Sequence, residues 1–120
     1  MSAGRLLLVD DEPDIRAIAK MALERVGGWE VTAAGSAAEA LQAAADATPD
    51  VVLLDVMMPD TDGPAALVLL RSLLGDAVPV IFLTAKGESR PLLDLGAVGV
   101  IAKPFDPMSL SSEVAAITAR

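Results

Sequence analysis

The chain has no cysteine and no histidine. Without cysteine there is no disulfide and no thiolate metal site. Without histidine, Ser-His and Cys-His catalysis drop out, as do the usual transition-metal ligands. The chain also cannot carry a phosphohistidine of its own. Aromatics are scarce: one Trp, two Phe and no Tyr. Positive charge is scarce too, with 9 Lys and Arg against 17 Asp and Glu, a net charge of −8. A chain this poor in basic and stacking side chains lacks the footprint of a nucleic-acid binder, so no nucleic-acid partner is expected. No apolar run approaches the ~20 residues that span a bilayer, so no membrane partner is expected either. Met1-Ser2-Ala3-Gly4 lacks a signal-peptide layout, and the expected location is cytoplasmic. Neither Gly-x-Gly-x-x-Gly after the first apolar run nor a Gly-Lys-Ser/Thr P-loop is present, which sets those nucleotide folds aside.

What remains is a chain of 120 residues, 53% hydrophobic, enough for one domain over residues 1–120 with a full core. Its centre is Val51-Val52-Leu53-Leu54-Asp55. Four branched apolar residues in a row read as a strand buried on both faces, as in a parallel sheet covered by helices. Such a strand has no comfortable place for a carboxylate, so Asp55 belongs where the strand ends. Met57-Met58-Pro59-Asp60-Thr61-Asp62-Gly63 after it is turn chemistry. Ligands bind at the carboxyl ends of strands in open parallel sheets. Asp55 is therefore a candidate for chemistry, with a helix cap as the plainer alternative.

Arg5 to Val9 reads as a first buried strand, ending in Asp10-Asp11-Glu12. Pro13 then opens a helix. Ile15, Ile18, Ala19, Ala22, Leu23 and Val26 make its apolar stripe, and Gly27-Gly28 ends it. Glu30 to Ala34 is a weaker strand. Ser36 and Glu39 form a capping box for a second helix, with Leu41 on its inner face. Gly63-Pro64 begins a third helix through about Leu74, with Leu67, Leu70 and Leu74 inward. Pro79 to Leu83 is a fourth strand, closing at Thr84. Gly87 to Leu95 is the poorest helix, short and interrupted by Pro91. Val98 to Ala102 is a fifth strand, ending at Lys103-Pro104. Asp106-Pro107 is an N-cap and first-turn pair for a last helix carrying Leu110, Val114 and Ile117. Five strands alternating with five helices predict an α/β fold with a parallel sheet and right-handed crossovers.

Every strand but the second ends in a polar residue able to act at one rim: Asp10 and Asp11, Asp55, Thr84, and Lys103. Carboxylates brought together there repel; at an effective dielectric near 20, a pair ~4 Å apart costs about 4 kcal/mol. The rim must bind a cation, take up protons or draw on Lys103. A hard divalent ion suits it, and Mg²⁺ is at home with few carboxylates and retained waters. A self-contained ion-pair network would explain Lys103 alone but has no need of three acids. Glu12, Asp60 and Asp62 read mainly as helix-start and turn residues, with Glu12 also able to orient metal-bound water.

With these motifs in place, the sequence resembles a response-regulator receiver domain of two-component signalling. The matching stretches are Leu8-Val9-Asp10-Asp11-Glu12, Leu54-Asp55-Val56-Met57-Met58-Pro59, Leu83-Thr84-Ala85-Lys86 and Ile101-Ala102-Lys103-Pro104-Phe105. The resemblance covers essentially the whole chain. It implies a single (βα)5 flavodoxin-like domain, a five-stranded parallel sheet of order 2-1-3-4-5 with helices on both faces. It implies Asp55 as phosphoacceptor, and Mg²⁺ held by Asp10, Asp11, the Asp55 side chain and the Met57 backbone carbonyl. Thr84 is similar to the hydroxyl that contacts the phosphoryl group, and Lys103 to its cationic partner. The Lys103-Pro104 bond is expected to be cis. Since the chain has no His, the donor would be a sensor histidine kinase, a histidine phosphotransfer protein or a small acyl phosphate. Phosphorylation would switch a surface of the fourth helix, fifth strand and fifth helix toward an output protein that the sequence does not name.

Two positions depart from the family pattern. Val100 stands where Tyr or Phe is usual, so the inward-aromatic signal is not expected here. The stretch from Thr84 to Lys103 is about three residues short, nearly one helical turn, and the loss falls in the helix around Pro91. The expectation is working phosphorylation with an atypical output partner. Two other classes compete. A Mg²⁺ phosphohydrolase of the haloacid dehalogenase type would need Asp-x-Asp at the first strand's end, where this chain has Asp10-Asp11. A phosphorylation-independent interaction module would have no use for the complete acid, Thr and Lys set. The chain is thus not expected to be an enzyme beyond accepting and losing its own phosphoryl group. The last helix reads as complete, which is compatible with a stand-alone domain.

Overall fold

The structure is a computed structural model, and it describes residues 3–58, 61–85, 93 and 96–119. Five strands form one parallel sheet: β1 (Arg5–Val9), β2 (Glu30–Ala34), β3 (Val51–Asp55), β4 (Val80–Ala85) and β5 (Gly99–Lys103). Their order is β2-β1-β3-β4-β5, the expected doubly wound arrangement. The helices among the described residues are α1 (Pro13–Arg25), α2 (Ala37–Asp46), α3 (Gly63–Leu74) and α4 (Leu110–Thr118). The helix expected over Gly87 to Leu95 lies outside the described residues, apart from Leu93. No helix of the described residues is long and apolar enough to cross a membrane.

Local chemistry accounts for the boundaries. Pro13 occupies the first turn of α1, where its missing N–H costs nothing. Ser36 Oγ accepts from Glu39 N at 3.1 Å, and Asp62 Oδ1 accepts from Ala65 N at 2.9 Å, so both expected caps are made. Gly75 ends α3 at φ 77, in the left-handed region. The C-terminal helix differs from expectation. Asp106 Oδ1 accepts from Met108 N at 2.9 Å and closes a separate turn, so α4 starts only at Leu110. Strand β4 also runs two residues further than expected and takes in Thr84.

Alternate side chains of each strand enter two different cores, as a sheet covered on both faces requires. Leu7, Val9, Val52, Leu54 and Phe82 pack with α2 and α3 on one face. Leu6, Leu8, Leu53, Ile81, Leu83 and Ile101 pack with α1 and α4 on the other. The α1 stripe is only half used: Ala19, Ala22 and Leu23 are buried, while Ile18 and Val26 stay exposed. On α2 the inner face is Ala37, Ala40 and Ala44, with Leu41 at its margin.

Candidate functional site

The register of the sheet brings the polar strand ends together. Val9 pairs with Leu54, so the next residues, Asp10 and Asp55, lie level. Asp55 pairs with Leu83 and Thr84 with Ala102, which sets Thr84 and Lys103 along the same rim. Asp10, Asp55 and Thr84 are all buried. One ligand oxygen from each of Asp10, Asp11, Glu12 and Asp55 lies within 4.8 Å of the others.

Lys103 reaches into this group. Its Nζ is 2.8 Å from Asp10 Oδ2, 3.3 Å from Asp55 Oδ1 and 3.5 Å from Glu12 Oε1. Apart from this ion pair, Asp10 Oδ2 is a buried oxygen with no hydrogen-bond partner. The other Asp10 oxygen accepts from Glu12 N at 2.9 Å. Asp55 Oδ1 also accepts from Met57 N at 3.3 Å. The Lys103–Pro104 peptide bond is cis.

The electrostatics follow from this crowding. Burial, and then the charge of Asp10, push the Asp55 carboxyl up to about 6 against the pull of Lys103. Burial works against the charge of Lys103, but Asp10 and Asp55 outweigh it and hold the ammonium above its usual value. One lysine thus faces four acids, and the excess negative charge suits a hard cation. The donor set fits such an ion: oxygen ligands only, closely grouped, with one buried carboxylate oxygen not hydrogen-bonded. The acid pocket could therefore hold a metal.

Beside the pocket runs an apolar groove. Glu12 and Lys103 stand at one end, and Ile15, Ile18, Phe105 and Pro107 line it. It continues along α1 past Met21, Val26 and Met108. This is where the unused half of the α1 stripe goes.

All five expected side chains, Asp10, Asp11, Asp55, Thr84 and Lys103, thus lie at one rim, as does Met57 through its backbone. Glu12, read from sequence as mainly a helix-start residue, makes no side-chain cap and instead joins the acid group. Asp60 lies outside the described residues. The sequence reading passed over Arg16, whose Nη1 donates to the Asp10 carbonyl at 2.7 Å. A hint was available: a cation in the first turns of a helix opposes the helix dipole and calls for another reason to be there.

Fold and rim together define a receiver domain, and comparison with known proteins agrees. The response regulator receiver domain family matches residues 6–115, and the chain belongs to that family. Its place is therefore in two-component phosphorelay signalling, where response regulators receive phosphoryl groups from histidine kinases. The phosphate regulon transcriptional regulatory protein PhoB of Pseudomonas aeruginosa is 40% identical over 124 residues, covering 100% of this chain and 54% of that protein. The probable transcriptional regulatory protein TcrX of Mycobacterium tuberculosis is 45% identical over 103 residues, covering 83% and 43%. The chain thus spans about half the length of the curated relatives it matches. Among solved structures, the chemotaxis protein CheY4 of Vibrio cholerae superposes with a TM-score of 0.87 at 30% identity, over 98% of both chains.

Proposed function

We infer that Asp55 is the phosphoacceptor of this receiver, with Mg²⁺ held by Asp10, Asp11, Asp55 and the Met57 backbone carbonyl. The observation that carries this reading is the buried Asp10–Asp55–Lys103 group, crowded with negative charge and holding a carboxylate oxygen without a hydrogen bond. Bound there, Mg²⁺ would offset the charge of the carboxylates and of the incoming phosphoryl oxygens. Met57 N–H and Lys103 engage Asp55 Oδ1, which leaves Oδ2 to attack phosphorus. The new O–P bond forms as the donor's N–P bond breaks. The bonding pair stays on the donor imidazole, which takes a proton from solvent. Lys103 turns toward one phosphoryl oxygen, and the Thr84 hydroxyl donates to another.

The donor would be a sensor histidine kinase or a histidine phosphotransfer protein, seated in the apolar groove along α1 that ends at Glu12 and Lys103. Transfer and later hydrolysis concern the chain's own phosphoryl group, so it is a switch rather than a turnover enzyme. Its output passes through β5 and the helices beside it to a partner protein, in the cytoplasm. The net charge of −8 supports a receiver that makes no nucleic-acid contact itself. A phosphorylation-independent binding module is the second reading, and it rests on Val100 and on the short stretch between Thr84 and Lys103.

Incubation with acetyl phosphate and Mg²⁺, read by intact-protein mass spectrometry, tests this. The wild type should gain one phosphoryl group and Asp55→Ala none. Equal labelling of the two would end the assignment of Asp55. A partner affinity indifferent to beryllofluoride, a phosphoryl mimic, would favour the second reading.

A further inference from the structure

We propose that Arg16 is a positioning residue for the acid pocket. It fixes the Asp10 backbone carbonyl, and through it the direction in which the Asp10 and Asp11 carboxylates meet a cation. This rests on reading the pocket as a cation and phosphoryl site.

The need arises from where β1 stops. Asp10 is fully buried and just past the strand. Its N–H is still held by Ala34 O at 3.0 Å, but a buried carbonyl also requires a donor. Arg16 Nη1 supplies it at 2.7 Å from one turn into α1. The Asp10 C=O and the Asp11 N–H share one rigid peptide plane. Holding that carbonyl therefore sets the direction in which Asp11 leaves the strand. The same loop places Glu12 N 2.9 Å from Asp10 Oδ1, so the two acids and the turn between them are oriented as one unit.

A second, independent observation is the floor under the guanidinium. A Cβ on Gly35 would lie 2.9 Å from Arg16 Nη1 and 3.5 Å from its Cζ. Gly35 does not have the positive φ that would itself call for glycine. What the position needs is the missing side chain, which leaves a slot at the end of β2 for Arg16. This gives two routes to the same perturbation. Arg16→Met removes the donor. Gly35→Ala pushes only the end of a flexible side chain, so it displaces the guanidinium without forcing the backbone.

The test is Mn²⁺ binding, with Mn²⁺ as an oxygen-seeking stand-in for Mg²⁺, read from the electron paramagnetic resonance signal of the free ion. Wild type, Arg16→Met, Arg16→Lys and Gly35→Ala are compared, each shown folded by circular dichroism. Arg16→Met and Gly35→Ala should weaken binding roughly tenfold, the scale of losing a side chain that orients metal ligands. Arg16→Lys should regain most of it, since an ammonium can still donate to the carbonyl. With acetyl phosphate, the half-saturating Mg²⁺ should rise while the rate at saturating Mg²⁺ holds. A merely structural arginine would lower the melting temperature and leave the metal midpoint alone, and wild-type Mn²⁺ affinity in folded Gly35→Ala or Arg16→Met would overturn the proposal. Should every variant including wild type bind Mn²⁺ yet take no phosphate, the phosphoacceptor reading fails while the metal titration still decides the role of Arg16.

Discussion

Lys103 Nζ stands 2.8 Å from Asp10 Oδ2 and so joins the end of the edge strand β5 to the end of β1, across the two strands β3 and β4 that lie between them in the sheet. Asp10 is fully buried, and no other cation is paired with it among the described residues. Removing one partner of a buried pair leaves a charge with nothing to balance it. Lys103→Met should therefore lose about 3 kcal/mol of stability in EDTA, and added Mg²⁺ should restore part of that. Urea unfolding with and without Mg²⁺ measures both. The exposed Glu12 contact contributes little, because solvent screens it. A Lys103→Met protein as stable as wild type in EDTA would show that Asp10 is balanced some other way.

Asp55 makes stability depend on pH when no divalent ion is present. Its carboxyl titrates at about 6 in the folded protein against the usual 3.8. The folded state thus holds this proton more tightly than the unfolded state. The resulting stabilisation is fully present below 3.8 and is lost as pH rises through about 6. The shift corresponds to about 3 kcal/mol, nearly all of it gone at neutral pH. Asp55→Asn should flatten this part of the profile and be the more stable protein at neutral pH in EDTA. Urea unfolding across the pH range in EDTA reads it, and an unchanged slope in Asp55→Asn would assign the effect to another group.

Gly63 presses the start of α3 against the strand end that carries Asp55. A Cβ there would lie 2.7 Å from Val56 Cα and 2.8 Å from Asp55 O, both backbone, and 3.0 Å from Phe82 Cε1. Backbone atoms cannot rotate aside, so Gly63→Ala should cost about 1–3 kcal/mol by overpacking. It should also slow phosphoryl uptake if Asp55 is the acceptor, because the displaced atoms adjoin that residue. Gly75→Ala is the control: open space surrounds it, its cost is backbone strain at φ 77, and it sits at the far end of α3. Both variants should melt earlier, but only Gly63→Ala should change the acetyl phosphate rate.

Most of the fold is legible in the sequence because the relevant signals are local. Apolar runs such as Leu6–Val9 and Val51–Leu54, short and bounded by turn residues, read as strands buried on both faces; Ser36 with Glu39 and Asp62 mark helix starts by their hydrogen bonds, and Pro13 by the N–H it lacks. The site is legible for a related reason, since a carboxylate or an ammonium at the end of an apolar run has one place to go. Less legible are contacts whose second partner has no side chain. Arg16 holds a backbone carbonyl and Gly35 acts by what it lacks, so neither leaves a pair of matching residues in the sequence. The α1 stripe misleads for a different reason. Helical spacing marks Ile18 and Val26 as apolar, but a stripe can face a groove as well as a core. The start of α4 was placed too early because Asp106 caps a turn with the same hydrogen bond it would use to cap a helix.

Val100 lies on β5 between the core and the rim that carries Thr84. It pairs with Phe82 across the β4–β5 ladder and packs against the core that contains Phe82, two residues from the Thr84–Ala102 pair. A β-branched side chain in a strand is stiff at χ1, and valine has no ring to swing inward. The change at the rim must then travel along the ladder itself. Beryllofluoride with Mg²⁺ should shift the amides of Leu83, Thr84 and Ile101 to Lys103, while the χ1 couplings of Val100, read by methyl nuclear magnetic resonance, stay fixed. A reversal of the Val100 rotamer on adding beryllofluoride would contradict this, because the side chain itself would then carry the change.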